Sequence, residues 1–194
     1  MCAPLECAPP DWAPLTLAQA IERAHCWSEH AVTSPGREAL DSVWWLSTHL
    51  AAAERVVHPV AARALPDGPV RVAAQRRRAA DIIRSLWTLE HALTGDARVR
   101  RPVADVVAGL AGLVADHAAA EDALIADLSA VVPEPMLALA HRRYADSVRH
   151  APTRPHPIAA QHPTLAAATF RIEGLLDRAR DVLDGRHAPR RLAG

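Results

Sequence analysis

The chain contains no lysine and no asparagine, so its basic side chains other than histidine are all arginine. Without an amine side chain there is no Schiff-base chemistry and no lysine nucleophile. The codons of both missing residues are A-rich, and alanine is abundant. That bias points to a GC-rich bacterial genome and says nothing of chemistry. Aromatics are scarce, five Trp with one Tyr and one Phe. The cysteines, Cys2, Cys7 and Cys26, are an odd set whose first two fall in a Pro-rich stretch, which argues against a disulfide framework. Neither sign of charge is in excess, since Lys+Arg and Asp+Glu both number 22. Electrostatic attraction to nucleic acid or to an anionic membrane is therefore not expected. No run approaches ~18 uninterrupted apolar residues, and the opening "MCAPLECAPPDWAPL" has neither a basic n-region nor an apolar stretch of signal-peptide length. The expectation is a cytoplasmic protein with no membrane and no nucleic-acid partner. Gly-rich phosphate loops, Cys-x-x-Cys pairs and a Ser-His-Asp pattern are also missing, which leaves ATP-dependent and hydrolytic chemistry without support.

What is present is helical periodicity. Half of the 194 residues are apolar, enough for one ordinary domain, and no stretch alternates as a strand would. Proline, glycine and aspartate punctuate the pattern. Helices are expected over 15–32 (before "TSPG"), 37–64 (before "LPDGP"), 70–94 (before "TGD") and 102–131 (before "PEP"), with shorter ones over 134–149 and 164–184. Short connections make antiparallel neighbours, so the expected fold is all-α, an up-down antiparallel four-helix bundle with two additional C-terminal helices. The expected organisation is a disordered Pro-rich tail over 1–14, the bundle over 15–149, and a Pro-rich linker with an amphipathic helix over 150–194.

The strongest local motif is "DHAAAEDAL", in which His117 and Glu121 stand four apart, about 6 Å from each other on one helical face. That face is apolar, and a desolvated carboxylate there needs a cation or a hydrogen-bonded partner. Spacing alone leaves open a solvated Glu beside a half-buried His. His49, in "WWLSTHLAAAERVVHP", lies mid-pattern on another expected core face. Trp44, Trp45 and Trp87 suit helix packing better than a ligand pocket, and "QRRR" at 75–78 suits a solvated face better than an anion site.

In order along the chain, "THLAAAERVVHPVAARALPDG", "LWTLE", "DHAAAEDAL", "APTRPHP" and "DRARD" resemble blocks of actinobacterial hemerythrin-like (HHE cation-binding) proteins, over about residues 37–184. The resemblance implies a four-helix bundle whose family pattern holds a non-haem di-iron centre for oxygen, nitric oxide or peroxide. It also implies an incomplete ligand set here. His49 matches a family ligand, but Ala53 stands where a Glu belongs. A gap-free alignment puts Ala80 where the third helix has its His, and His91 lies ~16 Å further along that helix. His117 and Glu121 are both kept. On the first helix the family His aligns near Ile21, with His25 one turn on along the same face. His30, His58, His141, His150, His156, His162 and His187 read as surface or linker residues.

Three readings follow. One is a diverged metal-binding or sensing protein with a degenerate di-iron site. Another is a mononuclear non-haem iron enzyme using His49, His117 and Glu121, with His25 as a further candidate, acting on an organic substrate. The last is a metal-free helical interaction protein in which these residues form a buried hydrogen-bonded cluster. Iron, one ion rather than two, is the expected cofactor of the first two readings; the third has none.

Overall fold

Alanine, leucine, arginine and glutamate fill the stretches between the punctuating prolines, and these residues lose little rotamer freedom in a helix. In the computed structural model, residues 16–21, 24–25, 37–157 and 163–186 are described, and the side chains of 37–39 and 163–168 are not. The expected tail over 1–14, the far part of the first helix with Cys26 and His30, and His162 and His187 lie outside the described residues. Among the described residues there is helix and no strand.

Residues 17–21 and 24–25 are helical and form α1. Then come α2 (Arg37–Ala64), α3 (Gly68–Leu93), α4 (Val103–Val131), α5 (Glu134–His150) and α6 (Pro163–Leu183). Proline sets several starts: Pro102 and Pro133 stand immediately before α4 and α5 with extended backbone, where a missing N–H costs nothing. The α2–α3 turn is tight for a steric reason. A Cβ on Gly68 would sit 2.1 Å from the carbonyl oxygen of Ala61, so only glycine lets α3 leave the end of α2 at that approach. Gly95, at φ 75°, ends α3 in the left-handed region.

α2 is the central element. It packs on α3, α4 and α5, while α3 also packs on α4 and α5 on α6. The buried apolar side chains fall into two clusters. One joins Val43, Leu46 and Leu50 of α2 to Ile82, Leu86 and Leu89 of α3 and to Val106, Leu110 and Val114 of α4. The other joins Leu17 and Ile21 of α1 to Ala53, Val56 and Val57 of α2, Leu124, Ile125 and Leu128 of α4 and Tyr144 of α5. Along α2 the first cluster ends at Leu50 and along α4 at Val114, so His49, His117 and Glu121 stand where one apolar cluster gives way to the other.

By length and composition α4 is apolar enough to cross a membrane. Its buried stripe nevertheless includes His117 and Glu121 beside Leu110, Val114, Leu124 and Leu128, and that stripe faces α2 and α3.

The "APTRPHP" stretch, expected as a Pro-rich linker, is packed: Ala151 and Thr153 are fully buried. Its partner is the "DRARD" block of α6. Asp177 Oδ2 accepts hydrogen bonds from the backbone N–H groups of Thr153 and Arg154, 3.1 Å each, and lies 2.9 Å from His156 Nε2. Asp181 accepts from Thr153 Oγ1 at 2.6 Å and from Arg154 at 3.0 and 3.1 Å. His156, read as a surface or linker residue, is a half-buried residue of this linker held by Asp177.

Candidate metal centre

His117 and Glu121 are one turn apart on the buried face of α4, as their spacing demands, and α2 presents His49 across from them. α1 adds His25, so all four expected ligands meet. One ligand atom from each of His25, His49, His117 and Glu121 lies within 4.8 Å of the other three, and all four residues are buried. Glu121 Oε2 is the common point. It is 2.8 Å from His25 Nε2, 2.9 Å from His49 Nε2 and 3.7 Å from His117 Nε2. Four ligands on ~2.1 Å bonds around a tetrahedral ion stand about 3.4 Å apart, a separation these distances bracket.

The hydrogen bonding is incomplete in a telling way. His49 Nε2 is at bonding distance from Glu121 but off the direction a hydrogen bond needs. It has no hydrogen-bond partner, and neither do both ring nitrogens of His117 and Glu121 Oε1. A desolvated polar atom left unpaired costs about 1–3 kcal/mol, so His49 Nε2, one nitrogen of His117 and Glu121 Oε1 around one point indicate that something else is meant to satisfy them. Three imidazoles and a carboxylate are a ligand set suited to a divalent transition metal. The residues therefore can hold one metal ion.

Outer contacts orient two of the imidazoles. His25 Nδ1 is 3.0 Å from Asp122 Oδ1, and His49 Nδ1 is 2.6 Å from the hydroxyl of Tyr144 on α5. Each leaves Nε2 facing inward, the arrangement in which a ligating histidine is held by a partner on its far nitrogen. Neither Asp122 nor Tyr144 was singled out by the sequence reading. Asp122 adjoins Glu121 and meets the other nitrogen of the same His25 ring, a contact with no spacing signal along the chain, and a lone tyrosine carries none either.

The electrostatics describe the metal-free state. Burial pushes the His25 imidazole down, but hydrogen bonds to Asp122 and Glu121 outweigh it and hold His25 up at about 9. A protonated His25 donates from both ring nitrogens to those carboxylates. Burial brings His117 down to about 4, helped by the neighbouring His49 and His25 and opposed by Glu121. Burial pushes the Glu121 carboxyl up, and the His49 and His25 imidazoles more than reverse this, leaving it well below the usual carboxylate range. Tyr144 is held well above its usual value by burial and by Glu121, so it stays a neutral phenol.

The other histidines and the alanines sort differently. His58, expected at the surface, is buried, with Nδ1 2.8 Å from Glu54 Oε2. The signal was legible, since Glu54 precedes it by four. His141 is half-buried and His150 exposed. Ala53 is buried in the core cluster one turn beyond His49. Ala80, which the gap-free alignment turns towards the metal centre, lines a separate cavity that none of the four ligand residues touches. Trp44 and Trp45 are buried in edge-to-face contact with ring centres 5.1 Å apart. In "QRRR", Gln75 is buried while Arg76 and Arg77 are exposed.

No family model matches the chain, and neither curated proteins nor solved structures give a match.

Proposed function

We propose that this is a hemerythrin-like four-helix bundle protein that binds a single non-haem iron ion through His25, His49, His117 and Glu121 and uses it to bind or sense a small molecule such as oxygen, nitric oxide or peroxide. The observation that carries the reading is the convergence of four buried ligand atoms from α1, α2 and α4 within 4.8 Å of one another. The family's second ion would need ligands at Ala53 and Ala80. Neither has one to offer, and Ala80 lies on another cavity. The same reading makes the protein cytoplasmic, with no nucleic-acid or membrane partner.

Iron held by these four residues would supply a redox-active Lewis acid for an external ligand. Glu121 is the anionic ligand, His25 must give up its proton to join, and Tyr144 and Asp122 hold His49 and His25 in place. Among the described residues, the four ligand residues are all buried and line neither the cavity of ≈ 930 Å³ nor that of ≈ 540 Å³. That favours a diatomic or peroxide-sized ligand over the organic substrate of an enzyme. A metal-free interaction protein would have to carry the unpaired polar atoms of the centre with no compensation.

Anaerobic titration with Fe(II), with Mn(II) and Zn(II) in parallel, tests the proposal. One equivalent bound per chain is expected, lost in Glu121→Gln, whose side chain keeps the shape but not the charge. Absence of saturable binding by any of the three metals would overturn it.

A further inference from the structure

A cavity of ≈ 930 Å³ lies between α2, α3, α5 and the C-terminal arm, formed by residues 151–157 and α6, within the size range of small-molecule sites. It is lined from the face of α2 that carries Leu50, Glu54 and His58, away from the metal centre. Leu50, Ala80, Ile83 and Phe170 give it apolar walls. Two buried polar groups of the lining are unsatisfied: Ser47 Oγ and His58 Nε2 have no hydrogen-bond partner. The orientation of His58 is fixed from behind. Its Nδ1 meets Glu54, and Arg76 holds the same carboxylate through two nitrogens at 2.6, 2.9 and 3.1 Å. Burial pushes the Glu54 carboxyl up, and the His58 and Arg76 contacts hold it below its ordinary value. Glu54 is then an ionised acceptor for Nδ1, and Nε2 is left without a hydrogen-bond partner.

The charge around the opening has one sign in excess. Six arginines line the cavity against the three carboxylates of Glu54, Asp146 and Glu173. Arg76 is taken by Glu54, and Arg154 by Asp181 and Glu90. Arg55, Arg142, Arg143 and Arg171 are exposed and have no carboxylate partner among the described residues. The Arg55 guanidinium lies 4.9 Å from the centre of the Phe170 ring. Unpaired guanidinium groups beside an apolar chamber suit a ligand with one charged end.

We propose that this cavity is a second binding site, for an organic anion with an apolar body. The anionic head sits on the arginines of the opening, the body lies against Leu50, Ala80, Ile83 and Phe170, and Ser47 and His58 meet a polar substituent. The inference does not depend on the metal reading, and the two sites share no residue.

The test uses a matched pair of fluorescent probes, 1-anilinonaphthalene-8-sulfonate and its uncharged analogue N-phenyl-1-naphthylamine, on the full chain. Saturable one-to-one binding of the sulfonate is expected, with the neutral probe at least five-fold weaker. Ala80→Trp, which fills the chamber, should abolish binding, and Arg142→Glu with Arg143→Glu, both at exposed positions, should weaken the sulfonate at least five-fold. Metal uptake should match the parent in all variants, so that failure of one site is distinguishable from failure of the other. No binding of either probe overturns the proposal. So does sulfonate binding that survives Ala80→Trp, or equal binding of both probes with no effect of the arginine changes. If Ala80→Trp does not fold, the arginine pair and the neutral probe decide the matter alone.

Discussion

A carboxylate with no exposed surface has to be met by positive charge, and Glu121 is met in one of two ways. In the metal-free protein the partner is the His25 imidazolium; with a metal bound, the ion takes that place and the proton leaves. This gives stability an unusual pH profile. His25 is held up at about 9, so its contribution is complete below its unfolded value near 6.5 and is lost as pH rises towards 9. His117, brought down to about 4, and Glu121, held well below its usual range, act oppositely, because the unfolded chain then binds more protons. The contribution of His117 is lost as pH falls from about 6.5 towards 4, and that of Glu121 only below its ordinary value near 4.5. Metal-free protein should therefore melt highest near pH 6.5 and lower on either side, whereas protein saturated with metal should keep its melting temperature from pH 6.5 to 8.5. Thermal melts in chelator and in excess metal check this, and a metal-free melting temperature that rises steadily from pH 6.5 to 8.5 would contradict it. Tyr144→Phe should leave the fold intact but weaken metal binding about ten-fold or more, because the hydroxyl at 2.6 Å that orients His49 is gone.

Among the elements, two close approaches depend on glycine. Gly68→Ala puts a methyl 2.1 Å from the Ala61 carbonyl and should cost about 1–3 kcal/mol, read from denaturant unfolding, as α2 and α3 are forced apart. A Cβ on Gly174 would meet the His150 carbonyl oxygen at 2.1 Å, so α6 is seated equally closely on the end of α5. Asp177→Asn tests how α6 is held. The fully buried carboxylate serves two backbone N–H groups and His156, and the loss should cost about 2–3 kcal/mol. Hydrogen exchange should quicken in α6 and 151–156 while α3 and α4 are unchanged; uniform quickening would mean that the arm is not a separate unit.

The helices from α2 onwards were legible, because periodicity and proline punctuation are local: the expected span 37–64 is that of α2, and those of α3 to α6 differ at their ends by no more than two residues. The pairing of His117 with Glu121 was legible for the same reason. The rotation of α3 about its own axis was not. A register drawn through the "HP" and "PDG" blocks turned Ala80 towards the metal centre, whereas it faces the arginine-lined cavity. Docking of "APTRPHP" on "DRARD" also lay beyond the sequence, since it joins segments more than twenty residues apart through backbone donors that any residue possesses.

For the molecule as a whole, His25 is the candidate ligand from α1 among the described residues, with His49 from α2 and His117 and Glu121 from α4. A bound ion therefore joins the N-terminal helix to the centre of the fold. Metal at 100 times its dissociation constant should stabilise the protein by about 2.7 kcal/mol. Part of that should appear as slower hydrogen exchange in residues 17–25, an effect that His25→Ala should remove while α3 and α4 keep their protection.

The placement of the histidine and glutamate layer between two apolar clusters also bears on how the protein responds to compression. Dry, close-packed regions resist the entry of solvent, and hydrostatic pressure forces water first where polar atoms lack partners. The unpaired nitrogens of His49 and His117 and the oxygen of Glu121 provide such a place. Squeezed at moderate pressure, the chelator-treated protein should wet along this plane, which crosses α2 and α4 between the two clusters. The ion that fills the centre would then also be what makes the fold incompressible at its middle.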